Sequence, residues 1–244
     1  MCALSLCVER SLVATRVRTI WWTIGRSLAV APCLGAEGAV HTKLWTFTAL
    51  SERMTSFEVT IRGGTVVTEK DVVRADIGIS GGRITAIAPS LPPGTVEDHN
   101  ATGLHVFPGG VDSHCHIEQK TSTGLTPCDD FFTASIAALC GGTTTLIPFA
   151  CQHRGQNIAQ VVAAYRQVAA KCACDYAIHV IVSDPAVEHA LSDLEVLFRE
   201  GYTSIKTYMT YDALRLKDDE MLELLALCRA HGAMVMVHTR LDGH

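Results

Sequence analysis

Two histidines, His114 and His116, stand two positions apart just after the apolar run His105–Asp112. If that run is a β-strand, the alternation of side chains points both imidazole rings to the same face. Imidazole nitrogen is a common ligand of Zn²⁺ in proteins. A His-x-His pair alone is a weak signal, because many such pairs serve ordinary polar roles. Its position after an apolar strand and the pair Gly109-Gly110 favours a metal site.

A lysine inside an apolar run, Lys206, is the next candidate. It lies in the run Thr203–Met209, where burial of an unpaired ammonium group would cost roughly several kcal/mol. One interpretation is a side chain that extends along the sheet and brings its charge to water at the rim. The other is a desolvated amine of lowered pKa, which can react with carbon dioxide to give a carbamate that bridges two cations.

A third histidine, His238, ends the apolar run Ala233–His238. In a parallel α/β barrel, the carboxyl ends of the strands meet at one rim, and active sites of this fold lie there. The first two histidines, Lys206 and His238 would stand at three such strand ends. Chance explains this constellation poorly, and it predicts a metal centre.

The segment that must position these residues alternates short β-rich runs with helical stretches from residue 105 onward, which is typical of βα units around a parallel sheet. The predicted strands are 105–112, 143–148, 176–182, 203–209 and 233–238, and the predicted helices are 130–140, 156–171, 187–200 and 218–231. A (β/α)8 barrel of the TIM type needs about 250 residues, whereas 140 residues remain from His105 onward. The predicted fold class is therefore α/β, a TIM-like barrel truncated after its fifth strand.

Residues 57–104 show a different pattern, in which apolar and polar residues alternate with a period of two. The pairs Gly63-Gly64 and Gly81-Gly82 are typical of hairpin turns. This pattern predicts short antiparallel strands. We expect a small, partial β-sandwich domain over residues 54–104, followed by a partial metal-dependent hydrolase barrel over residues 105–244.

Residues 1–53 show neither pattern. Basic and apolar residues dominate this stretch and acidic residues are few, which would fit a targeting segment. The favoured alternative is a leader produced by an upstream start codon, with Met54 as the working start. In either case we expect residues 1–53 to be a leader or a non-native extension outside the fold.

The composition of the 244-residue chain, with 48% hydrophobic and 18% charged residues, is that of a globular protein. Its formal net charge of −5 argues against nucleic acid as a partner. No run of about eighteen apolar residues occurs, so a membrane span is not expected. The ten cysteines fall well below the share of about 8–10% that marks small secreted disulfide scaffolds. Reduced thiols and a cytoplasmic location are therefore expected.

Three further features are assigned ordinary roles. Cys172-Ala-Cys174 lacks the two-residue spacer of the usual zinc and redox motifs, and we expect it to pack at a helix end. His179 is assigned a polar or core role. Cys115 is expected to point away from the face that carries its two histidine neighbours.

Four motifs resemble the dihydropyrimidinase/hydantoinase family of the metal-dependent amidohydrolase superfamily. They are Pro108-Gly-Gly-Val-Asp-Ser-His-Cys-His, Gly141-Gly-Thr-Thr-Thr, Ser204-Ile-Lys-Thr-Tyr-Met-Thr-Tyr and Val237-His238. The resemblance runs from about Phe57 to His238. Together the motifs are highly specific for the superfamily and moderately specific for the family.

The resemblance implies two divalent metal ions, taken to be Zn²⁺, as cofactors. It implies that His114 and His116 bind the more buried metal, that a carbamate on Lys206 derived from carbon dioxide bridges both metals, and that His238 binds the second. Tyr211 matches the family's catalytic tyrosine, which hydrogen-bonds the substrate carbonyl and stabilises the oxyanion.

The activity implied is hydrolysis of the C–N bond of a small cyclic amide, such as a dihydropyrimidine or a 5-substituted hydantoin, by a protein that is a homotetramer when complete. A further histidine ligand and a proton-shuttling aspartate belong to the sixth and eighth strands of the family barrel. The chain also ends with Thr239-Arg-Leu-Asp-Gly-His where the family usually continues with Ala-Glu-Asn, which suggests an altered reading frame or splice variant. We therefore expect the chain as given to be an incomplete, inactive fragment.

Two alternatives stay open at this point. One is an allantoinase-like hydrolase of a cyclic ureide; dihydroorotase is disfavoured because Glu118 stands where that enzyme generally has arginine. The other is a non-catalytic, dihydropyrimidinase-related scaffold protein, against which the retention of all four predicted ligands argues.

Overall fold

The computed structural model describes residues 19–22, 56–119 and 124–239. The chain divides into two units, Met1–Gly109 and Gly110–His244. Most of the predicted leader, four residues of the loop after His116, and the tail beyond Thr239 lie outside the described residues, so the expectations that fall on them stay predictions.

The first unit contains a six-stranded mixed sheet in the order β1-β6-β2-β3-β4, with β5 also pairing with β2. Its strands are β1 (Thr19–Trp22), β2 (Val59–Val67), β3 (Val72–Ser80), β4 (Arg83–Ala88), β5 (Glu97–Asn100) and β6 (His105–Pro108). The predicted antiparallel pairing holds for β2, β3 and β4, whereas the pairs β2–β5, β2–β6 and β1–β6 are parallel. The described residues of this unit form one sheet, and the sandwich stays a prediction.

Local sequence explains the best-formed part of this sheet. Gly81 and Gly82 have φ values of 58° and 69°, the left-handed conformation that a tight hairpin between β3 and β4 requires and that glycine adopts without a steric cost. Alternate residues of the strands meet in a buried cluster built around Ile61, Ile77 and Val106. The prediction of a hairpin turn at Gly63-Gly64 was wrong: this pair lies inside β2, where the register with β3 shifts between Ile61 and Gly64.

The second unit is a parallel sheet in the order β12-β11-β10-β8-β7, with β9 also pairing with β8. Its elements are β7 (Gly110–Cys115), α1 (Phe131–Cys140), β8 (Thr143–Cys151), α2 (Ile158–Ala169), β9 (Asp175–Tyr176), β10 (His179–Ile181), α3 (Ala190–Arg199), β11 (Ser204–Tyr208), α4 (Asp218–Ala230) and β12 (Met234–His238). The four predicted helices are confirmed to within three residues at each end. The alternation of strands and helices is that of consecutive βα units.

The first predicted barrel strand, 105–112, differs from the structure. Residues His105–Pro108 form β6 and pair with β2 of the first unit, whereas β7 begins at Gly110 and pairs with β8. The boundary falls at Pro108-Gly109-Gly110, and proline and glycine commonly end strands. The prediction of one strand across this signal was therefore wrong.

The parallel sheet of the second unit is apolar on both faces. The helices pack on one face, in a buried cluster that includes Ala150, Val180 and Ile205 from the strands and Leu194 and Leu224 from the helices. The opposite face carries a smaller apolar cluster of Phe149, Ile181 and Tyr208. Burial on both faces is typical of parallel strands, and the second face also carries the candidate site.

Candidate metal centre

The two neighbouring histidines lie against one aromatic ring. The ring centroids of His114 and His116 are 5.4 Å apart, and they lie 4.8 Å and 5.0 Å from the centroid of Phe149, which is fully buried. The Nδ1 atom of His116 lies 2.5 Å from Oε1 of Gln119. Since an amide oxygen only accepts, Nδ1 is the donor in this contact, and Nε2 is the ring nitrogen directed away from it and available to a metal ion.

Cys115, between these histidines, is half-buried. Burial, with a smaller contribution from the charge of Asp112, raises the pKa of its thiol to about 11. A thiol with so high a pKa is a poor metal ligand at neutral pH.

Lys206 is buried within β11, with 7% of its surface exposed. No carboxylate among the described residues lies within ion-pairing distance of its Nζ atom, which stands 5.2 Å from the ring centroid of Tyr208. Burial lowers the pKa of this amine, because the low-polarity surroundings disfavour its charged form. This environment favours the desolvated amine over the side chain that reaches water at the rim.

His238, at the end of β12, lies in an aromatic group. Its ring stacks on Tyr208 with 5.4 Å between centroids, and the ring of Tyr211 lies 5.3 Å away. Tyr211 is half-exposed and has a φ of 63°, a left-handed conformation that costs a non-glycine residue about 1 kcal/mol or more. The carbonyl of Tyr211 accepts hydrogen bonds from the amides of Leu214 and Arg215 at 2.7 Å and 2.9 Å, and this turn holds the residue in place.

The charges of Lys206 and His238 act on the pKa of His114, although these residues lie on different strands. The pKa of His114 is lowered first by burial and then by the positive charges of His116, Lys206 and His238, while Asp112 opposes them. In strand order β11 lies between β7 and β12. The structure therefore places the four predicted ligands on one face of the sheet. It does not gather them at a single point, and the described residues include no group of three His, Cys, Asp or Glu side chains that could hold one metal ion.

The side-chain types of these residues fit divalent metal ions. Neutral imidazole is the ligand form that Zn²⁺ takes, and the lowered pKa of His114 favours it. A buried amine without a carboxylate partner, placed between the His114–His116 pair and His238, is suited to become a bridging carbamate.

One residue that the sequence analysis assigned to an ordinary role, His179, links two strands of the site. It is 4% exposed; its Nε2 atom lies 3.0 Å from the carbonyl oxygen of Ser113, and its Nδ1 atom lies 2.5 Å from Oγ of Ser204. Its ring also lies 4.9 Å from that of Phe149. The only signal in the sequence was its position in the third predicted strand.

Glu118 orders the chain directly after His116. Its carboxylate accepts a hydrogen bond from the backbone amide of Phe131 at 3.0 Å, at the start of α1, and pairs with Nζ of Lys171 at 2.9 Å. A carboxylate at a helix N-terminus also meets the favourable end of the helix dipole. Glu118 thereby ties the end of the ligand-bearing strand to the helix layer.

A buried glutamine anchors two loops at the carboxyl ends of β8 and β10. The side-chain amide of Gln152 donates to the carbonyl oxygens of Gln156 and Asp184, and its Oε1 accepts from the amides of Ser183 and Asp184. All four bonding positions of its side chain are used. The loop 152–157 after β8 is therefore held by a saturated hydrogen-bond network.

Comparisons with known proteins agree with this arrangement. The model of the amidohydrolase family matches residues 105–244. The chain is 42% identical over 183 residues to a D-hydantoinase of Ralstonia pickettii, an alignment that covers 74% of this chain and 39% of that protein. The chain therefore belongs to the amidohydrolase family, and within it to the hydantoinase/dihydropyrimidinase family.

Solved structures give the same result. A D-hydantoinase structure superposes with a TM-score of 0.70 at 40% identity, covering 75% of this chain and 40% of that one. A dihydropyrimidinase from Brevibacillus agri superposes with a TM-score of 0.68 at 37% identity, covering 74% of this chain and 39% of that one. The second unit is thus part of a (β/α) barrel of the amidohydrolase type, and the chain spans about two fifths of the length of these relatives.

The described helices are all too short or too polar to cross a membrane.

Proposed function

We propose that this segment is the metal-binding part of an enzyme that hydrolyses the C–N bond of cyclic amides, with dihydropyrimidines and 5-substituted hydantoins as the substrate class. The observation that carries the proposal is the environment of Lys206: a buried amine of lowered pKa, without a described carboxylate partner, between the His114–His116 pair and His238. The relatives named above supply the substrate class.

In this proposal two divalent ions, Zn²⁺ by the choice of ligands, are held by His114, His116, Lys206 and His238. When bound, such ions lower the pKa of a water molecule and polarise a carbonyl oxygen. The neutral amine of Lys206 attacks carbon dioxide, an N–C bond forms, and one proton leaves to solvent. The product would be a carbamate with one negative charge, whose two oxygen atoms could serve as metal ligands.

Tyr211 is assigned the catalytic role of a hydrogen-bond donor. Its ring lies 5.3 Å from that of His238, so its hydroxyl can reach a carbonyl group bound beside the second metal site. A donor placed where negative charge develops stabilises the oxyanion more than it stabilises the neutral substrate. The strained backbone of Tyr211 supports this role, because strain of this kind clusters at functional sites.

We assign the activity to a full-length protein. In that protein these residues are part of a complete barrel, as in the relatives. For the complete protein we propose a cytoplasmic homotetramer that acts on a small molecule, without nucleic acid or membrane partners.

A chimera tests the proposal. Residues 57–238 replace the matched two fifths of the Ralstonia pickettii D-hydantoinase, and ring opening of dihydrouracil and phenylhydantoin is measured beside the 244-residue chain. We expect turnover by the chimera that is lost with a chelator and regained with Zn²⁺. Lys206→Ala should abolish it, with partial rescue by a short carboxylic acid, whereas Lys70→Ala, at an exposed lysine between β2 and β3, should retain it.

Two results would overturn the proposal. One is a folded chimera that binds two metal ions and opens neither ring. The other is unchanged turnover and metal content in the Lys206→Ala chimera.

A further inference from the structure

Two cysteines face each other in the connection between α2 and β9. The Sγ atoms of Cys172 and Cys174 lie 3.7 Å apart, and one thiol hydrogen-bonds the other. Two backbone hydrogen bonds hold this turn: the amide of Cys172 donates to the carbonyl of Ala169 at 2.9 Å, and the amide of Ala173 donates to Oγ of Ser135 at 2.8 Å. Ser135 is fully buried in α1, so the fold fixes the turn from both sides.

The two thiols have different surroundings. Cys172 is half-buried and Cys174 is 7% exposed. The pKa of Cys172 is lowered, first by the hydrogen bond from the thiol of Cys174 and then by hydrogen bonds from the backbone of Cys174 and the hydroxyl of Ser135. The pKa of Cys174 is raised by its role as donor and by burial. Cys172 is therefore the better nucleophile of the pair, and Cys174 is the thiol that stays protonated.

We propose that Cys172 and Cys174 form a reversible thiol–disulfide modification site whose co-substrate is a low-molecular-weight disulfide. The Sγ atoms need to approach by less than 2 Å, since a disulfide bond is about 2.05 Å long. The sequence analysis set this pair aside as helix-end packing because its spacer has one residue. The pair does lie at the end of a helix, and the turn brings its sulfur atoms into contact.

The chemistry has two exchange steps. The thiolate of Cys172 attacks one sulfur of the small disulfide, a mixed disulfide forms, and the other half leaves as a thiolate. Cys174 then loses its proton and attacks the sulfur of Cys172, which expels the second small thiolate. Two protein thiols are oxidised to one disulfide, and one small disulfide is reduced to two thiols. No metal takes part, so this site is independent of the proposed hydrolase function.

The test uses the 244-residue chain in buffers of reduced and oxidised glutathione at graded ratios. After quenching and alkylation, trypsin releases the peptide 172–199, which contains these two cysteines and no others. We expect this peptide to lose two hydrogen atoms in oxidising buffers and to regain them in reducing ones. Its equilibrium constant for oxidation should be about tenfold larger in the native chain than in urea, because the fold holds the sulfur atoms together.

Single variants resolve the order of the steps. Cys174→Ser should stop at a mixed disulfide on Cys172, and Cys172→Ser should leave Cys174 about tenfold slower to react. Cys140→Ser, which removes an exposed cysteine from α1, is the control and should leave the peptide unchanged. If either variant fails to fold, the equilibrium constant for oxidation in the native and the urea-unfolded wild-type chain still tests the proposal.

The proposal is overturned if both cysteines of the peptide stay alkylated in every buffer. It is also overturned if the pair oxidises equally well in urea, or if the two serine variants of the pair react at the same rate.

Discussion

The Nε2 atom of His179 lies 3.0 Å from the carbonyl oxygen of Ser113, the residue directly before His114. Since a carbonyl only accepts, Nε2 carries the proton, and Nδ1 accepts from the hydroxyl of Ser204 at 2.5 Å. Ser204 stands two residues before Lys206 on β11. A single neutral imidazole therefore links the strand of His114 to the strand of Lys206.

We expect His179→Ala to destabilise the chain by about 2–4 kcal/mol, because it leaves a cavity beside Phe149 and removes two buried hydrogen bonds. Urea unfolding followed by circular dichroism measures the change. His153→Ala, at an exposed histidine, should change the free energy of unfolding by less than about 0.5 kcal/mol. Equal changes in the free energy of unfolding for the two substitutions would show that the hydrogen bonds of His179 do not stabilise the chain.

The stability of the chain should fall as the pH falls below the ordinary histidine range. Burial lowers the pKa of His179, with a smaller contribution from the charge of His114, while the hydrogen bond to Ser113 opposes the shift. The unfolded state therefore binds the proton first, starting near pH 6.5. As the pH falls below about 6.5, stability decreases until the pH reaches the lower pKa that His179 has in the folded chain. Well above about pH 6.5, His179 is neutral in both states and its contribution to stability does not depend on pH.

This pH dependence is measured as urea midpoints between about pH 7.5 and 5.5, with a chelator present to keep metal ions from competing. His179→Gln preserves a polar side chain without a titrating group. Its midpoints should fall less steeply than those of the wild-type chain, and identical slopes would contradict the assignment.

In the metal-free chain, we expect Lys206→Met to be neutral or stabilising by about 1 kcal/mol or more, because an apolar side chain of similar length removes a desolvated amine that has no described carboxylate partner. The same variant should lose binding of Zn²⁺ in bicarbonate buffer, measured by equilibrium dialysis and elemental analysis. Lys70→Met is the control at an exposed lysine and should keep the metal content of the wild-type chain. Strong destabilisation by Lys206→Met without any change in metal content would assign the lysine a purely structural role.

Tyr211→Phe should leave the stability of the chimera unchanged to within about 0.5 kcal/mol, since the hydroxyl belongs to a half-exposed side chain. Its rate of ring opening should fall by about 10²–10³, the usual cost of removing one oxyanion donor. Steady-state kinetics should place the loss in kcat. Tyr202→Phe, at the opposite end of β11, is the matched control; a loss of equal size there would remove the catalytic role from Tyr211.

The helices and strands of the second unit could largely be predicted from the sequence, because their patterns are local. Apolar periodicity predicted α1 to α4 to within three residues at each end, and the hairpin glycines predicted the turn between β3 and β4. The His-x-His spacing, the lysine in an apolar run and the strand-end histidine indicated which residues to examine. The boundary between β6 and β7 was missed although Pro108 and Gly109 mark it in the sequence. The different pairing partners of the two strands are set only by tertiary packing.

By itself, the sequence determined the helices and most strands of the second unit and its family, since short-range periodicity and motif spacing carry that information. It also predicted the four ligands, and this assignment stays a prediction. Only the tertiary structure decided the environments. It buried Lys206 away from any described carboxylate, connected Ser113 to Ser204 through His179, and brought the thiols of Cys172 and Cys174 to 3.7 Å. The first two depend on strands that are distant along the chain, and the third on a turn held by Ser135, 38 positions before Ala173. Burial and hydrogen bonding between such distant segments arise only when the sheet and its helices assemble.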